Sequence, residues 1–177
     1  MKKETAVFGA GCFWCVEGVY NLLKGVELAT SGYSGGDTIN PTYKEVCTGE
    51  TNHAEVVKID FDPEVITYEE LLEAFWSVHD PTSLNKQGED VGTQYRSVIY
   101  YLNDEQKEIA EKSKLAKDQS GEYENPIVTF IEPFTTFYSA EDYHQGYYNE
   151  NPTQPYCSAV VGPKIQKFRT KFAGKLK

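Results

Sequence analysis

A strand pattern changes into a helix pattern across two glycines near the start of the chain. Residues 5–9, Thr-Ala-Val-Phe-Gly, are typical of a short strand, which Gly9 and Gly11 interrupt. A strand followed at once by a helix restricts the chain to folds that combine both, and it places Cys12 in the first helical turn. The apolar side chains beyond Cys12 follow helical spacing, at Phe13, Val16, Val19, Tyr20 and Leu23.

The same two patterns recur along the rest of the chain. Strands are predicted at residues 54–61, 94–102 and 126–131, and a flexible loop at residues 32–36. Helices are predicted after the capping box at residues 67–70, from residue 103 to about 120, at 139–142 and around 164–171. Without an internal repeat, low-complexity tract or linker, residues 1–177 are expected to form one domain, an α/β (α+β) sandwich whose strand order stays open.

The charge balance and the apolar runs limit the classes of partner. The chain has 27 acidic and 17 basic residues, a net charge of -10, and no dense basic patch outside the C-terminal stretch, so nucleic acid is not an expected partner. No apolar run approaches the roughly 20 residues of a membrane span, and the first residues lack a secretory signal. We expect a cytoplasmic protein, in which cysteines are free, catalytic or metal-bound.

Cys12 and Cys15 form a Cys-x-x-Cys pair that is open to three interpretations. A structural zinc site needs a second ligand pair, but Cys47 and Cys157 are isolated and the histidines are far apart in sequence, so no metal is expected. Thiol–disulfide exchange suits a thiol at a helix N-terminus, where the helix dipole favours the thiolate. Two buried cysteines that only pack fit the spacing equally well.

Glu55 falls on the apolar face of the strand predicted at residues 54–61, the face that carries Val57, Ile59 and Phe61. Such a carboxyl is either buried with a raised pKa or exposed because the strand frays at its beginning. The strand pattern alone leaves both interpretations open.

Five short motifs together resemble a known family. They are Gly-Cys-Phe-Trp at 11–14, Asn-Pro-Thr-Tyr at 40–43, His-Ala-Glu at 53–55, Gly-Thr-Gln-Tyr-Arg-Ser at 92–97 and Glu-Asp-Tyr-His-Gln at 141–145. Each is weak alone, but all five appear in family order over nearly the whole chain. The chain therefore resembles the A-type peptide methionine sulfoxide reductases. This resemblance implies a ferredoxin-like mixed sheet flanked by helices, with a long coil-rich C-terminal segment.

The resemblance also implies a reaction, the reduction of the S epimer of methionine sulfoxide, free or in proteins, as repair of oxidative damage. Cys12 would attack the substrate sulfur as a thiolate, and a protonated Glu55 would donate to the sulfoxide oxygen. Tyr43 and Tyr95 would hydrogen-bond to the same oxygen, and Asp90 would support the site from behind these residues.

Aromatic side chains supply the implied substrate pocket. Phe13 and Trp14 resemble the family's pocket for the S-methyl group, since methyl groups and sulfur contact aromatic surfaces favourably. His144 and Tyr147 resemble residues near that pocket. Cys47 is expected to be a buried, non-catalytic thiol.

A second thiol has to close a disulfide with the sulfenic acid left on Cys12. Cys157 resembles the family's recycling cysteine, and Cys15 is the alternative. The family reduces this disulfide with thioredoxin, for which dithiothreitol substitutes in vitro, so thioredoxin is the expected partner of a monomeric enzyme. No tightly bound cofactor is implied.

Two other functions stay open from the residues alone. A general thiol–disulfide oxidoreductase would use Cys15 as the partner of Cys12, but it would leave Glu55, Tyr43 and Tyr95 without a role. A non-catalytic module, in which the cysteine pair packs or holds zinc, needs no acid either.

Overall fold

The computed structural model describes residues 3–177 and contains a six-stranded sheet flanked by helices. The six strands are β1 (Glu4–Ala10), β2 (Val26–Ser34), β3 (Ala54–Phe61), β6 (Ser97–Tyr101), β7 (Phe130–Pro133) and β8 (Phe137–Ser139), and a separate hairpin consists of β4 (Lys86–Gln87) and β5 (Asp90–Val91). The helices are α1 (Phe13–Tyr20), α2 (Tyr43–Cys47), α3 (Tyr68–Val78), α4 (Asp104–Asp118), α5 (Tyr147–Glu150) and α6 (Gly162–Lys171).

The sheet is mixed, with the strand order β7-β6-β1-β3-β2-β8. Strand β3 runs antiparallel to both of its neighbours, β1 and β2. On their other sides, β1 pairs antiparallel with β6, and β2 pairs antiparallel with β8. Only β6 and β7 run parallel within this sheet. The mixed α/β class predicted from the sequence is therefore confirmed, and β3, which carries Glu55, lies in the interior of the sheet.

The main core lies between one face of the sheet and helices α1 and α3. Phe8 of β1 contacts the rings of Tyr20, Tyr68 and Phe75, with ring centroids 5.2–5.9 Å apart. All four side chains are at most 5% exposed. Because side chains alternate along a strand, Val7 faces the opposite side, where it joins a smaller cluster covered by the segment around Phe137. Burial on both faces fixes the register of the central strands.

Local capping signals define the helix starts. At the predicted capping box, the Thr67 hydroxyl accepts from the Glu70 backbone N–H at 3.1 Å, and a Glu70 oxygen accepts from the Thr67 N–H at 3.2 Å. The side chain of Asn103 caps α4, as predicted. Helix α2, which the sequence analysis missed, begins with a second capping box formed by Thr42 and Glu45.

Several predicted boundaries were wrong. Residues 32–34 of the predicted flexible loop belong to β2, where they pair with β8. A Cβ added at Gly32 would lie within 2.5 Å of the Phe137 ring and of the Tyr138 carbonyl on β8. Glycine there permits close strand approach and not a turn. The strand predicted at 94–102 begins at Ser97, after a 3₁₀ turn at Thr93–Tyr95, and the strand predicted at 126–131 begins only at Phe130. The predicted helix at 139–142 is a 3₁₀ turn at Asp142–His144.

No helix within residues 3–177 combines the length and the hydropathy that crossing a bilayer requires.

Gly11 should be required for the turn between β1 and α1. Its φ is +88°, and a Cβ there would lie 2.7 Å from Cγ of Gln87. We expect Gly11→Ala to lower the free energy of unfolding by about 1–2 kcal/mol, measured by urea denaturation. Gly174→Ala is the matched control, since none of the described atoms lies within 4 Å of its added Cβ. Equal stability of Gly11→Ala and the wild type would contradict this account.

Candidate active site

Cys12 lies at the N-cap of α1, directly after the Gly11 turn, and is 9% exposed. Its thiol is paired with that of Cys15, one turn further along the helix. A hydrogen bond from the Cys12 thiol lowers the pKa of Cys15 and raises the pKa of Cys12, and burial raises the pKa of Cys12 further. The Trp14 backbone N–H lowers the pKa of Cys12 but does not outweigh these effects. The N-terminal end of α1 therefore does not bring the pKa of Cys12 below its usual value in the free protein.

Of the two alternatives that the sequence left open for Glu55, burial and exposure, the structure shows burial, with only 1% of the residue exposed. Its Oε1 accepts from the Phe13 backbone N–H at 3.2 Å, and its Oε2 has no hydrogen-bond partner within residues 3–177. Burial raises the pKa of Glu55 well above its usual range, and a thiolate at Cys12 would raise it further. Burial therefore favours the protonated carboxyl, which has a hydroxyl available for donation.

Tyr43 and Tyr95 both lie near Glu55. Tyr43 is the first residue of α2, and Tyr95 ends the 3₁₀ turn before β6. Burial raises the pKa of each phenol, and the charge of Glu55 is the next largest cause for both. Both hydroxyls thus stay protonated and can act as hydrogen-bond donors beside the acid.

Asp90 lies on β5, at the side of the site formed by the C-terminal segment. It accepts a short hydrogen bond from the hydroxyl of Tyr156. Its charge adds to the causes that raise the pKa values of Cys12 and Glu55. Asp90 therefore connects the C-terminal segment with the thiol and the acid.

The predicted pocket residues form one aromatic cluster. The Phe13 and His144 ring centroids lie 5.3 Å apart, and Trp14 stacks on Tyr147 at 4.0 Å with an interplanar angle of 9°. His144 Nδ1 accepts from Trp14 Nε1 at 3.1 Å. His144 also lies 4.3 Å from the Tyr43 ring, so the cluster extends to the acid. The Nε2 atom of His144 is buried and has no hydrogen-bond partner among the described residues.

Glu141 organises the site, although no role was predicted for it. Its carboxylate accepts from the Tyr33 hydroxyl at 2.9 Å, from the Tyr43 backbone N–H at 3.0 Å and from the Tyr143 hydroxyl at 3.2 Å. The contact to Tyr43 places a negative charge at the start of α2. Glu141 lies in a motif that was recognised, but no local pattern indicates that it contacts residues about 100 positions earlier.

Gln145 attaches the same motif to the sheet. Its side chain accepts from the Ser31 backbone N–H and donates to the Ser31 carbonyl, both at 2.9 Å. The Gln145 amide thus forms with the Ser31 backbone in β2 the kind of paired hydrogen bonds that a neighbouring strand would form.

The remaining two cysteines differ from each other in exposure. Cys157 is fully buried at the first residue of a π-helical turn, Cys157–Val161, that leads into α6. Burial raises its pKa, and the charge of Cys12 is the next cause, so the two thiols are within electrostatic reach. Cys47 was predicted to be buried but is exposed. It ends α2, where its side chain hydrogen-bonds with that of Tyr43.

Within residues 3–177, no group of three or more His, Cys, Asp or Glu side chains is arranged to hold a metal ion. All four cysteines are described, and each is a free thiol.

A mixed sheet with a thiol pair, a buried protonated acid and two phenols at one end defines an α/β protein built for thiol chemistry. The family model described as "Peptide methionine sulfoxide reductase" matches residues 4–176. The peptide methionine sulfoxide reductase MsrA of Pasteurella multocida is 60% identical over 169 residues, 96% of each chain. The chain belongs to the peptide methionine sulfoxide reductase family.

Solved structures agree with this assignment. Mxr1 from Saccharomyces cerevisiae in its reduced form is similar with a TM-score of 0.77 and 36% identity, over 86% of this chain and 88% of that one. A second Mxr1 structure, in complex with Trx2, matches with a TM-score of 0.54 and 26% identity, over 82% and 85% of the two chains.

Cys15→Ala should lower the pKa of Cys12, because it removes the hydrogen bond that contributes most to raising that pKa. The measurement is the rate of Cys12 alkylation by iodoacetamide as a function of pH, followed by mass spectrometry of the Cys12 peptide. We expect the midpoint to move to lower pH, and we expect Cys47→Ala to leave it in place. A midpoint that stays or rises in Cys15→Ala would show that the thiol pair does not control Cys12.

Proposed function

We propose that this protein reduces the S epimer of methionine sulfoxide to methionine, both as the free amino acid and within oxidised proteins, and so repairs oxidative damage. The observation that carries the proposal is the buried, half-partnered carboxyl of Glu55 next to Cys12. Membership of the peptide methionine sulfoxide reductase family supports it. We infer that the whole chain, residues 1–177, acts as one catalytic domain.

The chemistry of a sulfoxide explains why these groups are needed together. Its sulfur is a poor electrophile until the oxygen is protonated or strongly hydrogen-bonded, so reduction requires an acid as well as a nucleophile. Glu55 supplies the proton from its unpartnered side, and the hydroxyls of Tyr43 and Tyr95 donate to the same oxygen. Asp90 holds Tyr156 and adds to the field that keeps the proton on Glu55.

The reaction balances as a two-electron transfer from the thiol to the sulfoxide. Sulfur of Cys12 attacks the sulfur of the substrate, and the oxygen ends on Cys12 as a sulfenic acid while the sulfoxide becomes a thioether. A second thiol then forms a disulfide with Cys12 and releases water. Cys12 has a raised pKa before substrate binds, so its proton leaves only as a proton is delivered to the sulfoxide oxygen.

The aromatic cluster accounts for the choice of epimer. Phe13 and Trp14 offer a wall for the S-methyl group, with His144 and Tyr147 behind it. When the methyl group and the oxygen each have one fixed place, only one configuration at sulfur leaves the sulfur facing Cys12. Contacts of methyl or sulfur with aromatic rings are worth only ~0.3–1.5 kcal/mol each, which is enough to orient a small group.

We propose that Cys157 resolves the sulfenic acid and that thioredoxin reduces the resulting disulfide. The electrostatic coupling of Cys157 to Cys12 supports the first step, and the complex of Mxr1 with Trx2 supports the second. This thiol cycle needs no tightly bound cofactor, and dithiothreitol can replace thioredoxin in vitro. We propose that the protein acts as a monomer, and that it acts in the reducing cytoplasm, where free thiols persist.

A general thiol–disulfide oxidoreductase is the second candidate, and the Cys12–Cys15 hydrogen bond with its lowered Cys15 pKa favours it. That activity requires neither a buried acid nor two phenols beside the thiol. Reduction of insulin disulfides without any reduction of sulfoxide would support this second function.

The sulfoxide proposal predicts epimer selectivity that depends on Glu55. With dithiothreitol as reductant, the protein should reduce the S form of N-acetylmethionine sulfoxide and leave the R form. Glu55→Gln keeps the shape but cannot supply the proton, so kcat/KM should fall by about 10²–10⁴-fold. Glu132→Gln, an exposed carboxyl on β7, is the control and should keep wild-type activity. Reduction of both epimers, or full activity of Glu55→Gln, would refute the mechanism.

Cys157→Ser should trap the intermediate. After one turnover with sulfoxide and no reductant, dimedone should label Cys12, because the resolving thiol is missing. The wild type treated in the same way should give a Cys12–Cys157 disulfide and no label. A Cys12–Cys15 disulfide in the variant would assign the resolving role to Cys15 instead.

A further inference from the structure

Glu17 is a second buried acid, and it has no part in the chemistry described so far. Only 4% of the residue is exposed. It lies on α1 three residues after Trp14, and side chains at this spacing share one face of a helix. Burial raises the pKa of Glu17 to about 7, and the Gly146 backbone N–H acts in the opposite direction. Burying a carboxyl with a single donor costs stability, so packing of α1 does not by itself account for this residue.

The single partner of Glu17 leads directly to the methyl pocket. Both carboxyl oxygens accept from the Gly146 backbone N–H at 2.9 Å. Gly146 has a φ of +64° and is the N-cap of α5, whose first residue is Tyr147. Tyr147 is the ring that stacks on Trp14 at 4.0 Å.

Helix α1 is thus attached to the segment at residues 144–147 at three successive points. Trp14 donates to His144, Trp14 stacks on Tyr147, and Glu17 holds the residue between them. The first two contacts involve side chains of the pocket itself. Of these three contacts, that of Glu17 is the one that binds the backbone directly before Tyr147.

We propose that Glu17 is a positioning residue that sets the width of the methyl pocket by fixing Gly146, and thereby the Tyr147 ring, against Trp14. The proposal rests on the function proposed above, since it assigns to Glu17 part of the selectivity for an S-methyl group over larger alkyl groups. Without this bond, Tyr147 can move and no longer supports the Trp14 ring from behind, so Trp14 can shift and the pocket admits an additional methylene group.

The test compares methyl and ethyl substrates in variants of Glu17. The substrates are the S forms of N-acetylmethionine sulfoxide and N-acetylethionine sulfoxide, reduced with dithiothreitol. A hydrophobic pocket distinguishes one methylene by ~10–200-fold, so we expect Glu17→Ala to lower the methyl-to-ethyl ratio of kcat/KM by about 5-fold or more, mainly through KM. Glu17→Gln should keep most of the ratio, because its amide oxygen still accepts from the Gly146 N–H.

Glu150→Gln is the matched control, because this carboxyl lies on α5 and is exposed. It should leave the ratio unchanged. A merely structural role of Glu17 would lower kcat/KM for both substrates by the same factor, together with the melting temperature. That result, or an unchanged ratio in folded Glu17→Ala protein, would overturn the proposal.

A second measurement needs no turnover and separates this inference from the proposed function. Trp76→Phe leaves Trp14 as the sole tryptophan of the chain. In that background, Glu17→Ala should raise the acrylamide quenching constant of Trp14 by about 2-fold, because the Tyr147 ring no longer covers it, and Glu150→Gln should not change it. A protein that reduces neither sulfoxide would refute the proposed function, whereas unchanged quenching in Glu17→Ala would refute the role of Glu17.

Discussion

The buried carboxyl of Glu55 is the constraint on which the rest of the site depends. A carboxyl inside a protein is costly unless it stays neutral or is hydrogen-bonded, and here it does both, with one bond from the Phe13 backbone N–H. That bond joins an interior strand to the first turn of α1, so the residue before Phe13, Cys12, is held next to the acid. The glycine turn at Gly11 makes this approach of strand and helix possible.

The C-terminal part of the chain encloses this arrangement through a few specific bonds, since it adds only two short strands to the sheet. Glu141 fixes the start of α2 and with it Tyr43, and Gln145 binds the backbone of β2 at Ser31. Gly146 binds Glu17 on α1. Residues 141–146 therefore join three elements that are distant in sequence, through the side chains of Glu141 and Gln145 and the backbone N–H of Gly146. A small displacement of this segment would move both the oxygen donors and the methyl pocket.

Local sequence patterns correctly predicted the secondary-structure elements whose boundaries are set by neighbouring residues. The capping box at Thr67, the cap at Asn103 and the helix after Gly11 depend on neighbouring residues, and all three were confirmed. Gly32 was misread because its role is set by Phe137, which lies on another strand. The α/β class was predictable from the alternation of patterns, whereas the strand order depends on contacts between distant segments.

In the site, too, features set by neighbouring residues were predictable, whereas features set by distant contacts were not. Strand alternation placed Glu55 on the apolar face but left its burial open, and the direction of the Cys12 pKa did not follow from its place at a helix N-terminus. The dipole acts through the Trp14 N–H, and the neighbouring thiol and burial act more strongly in the opposite direction. The roles of Glu141 and Glu17 had no local signal, since their partners lie about 100 or more residues away.

Because the pKa of Cys12 is raised, the thiol has to lose its proton before or during its attack on a substrate. A permanently ionised thiol would be exposed to oxidation by any peroxide that reaches it, because the thiolate is the reactive form. Here the same fold that buries Glu55 raises the pKa values of both Cys12 and the acid, which favours the protonated form of each. In the mechanism proposed above, a sulfoxide oxygen that accepts the proton of Glu55 leaves a carboxylate, which in turn accepts a proton as Cys12 attacks. That mechanism would couple activation of the thiol to the arrival of a substrate that takes the proton.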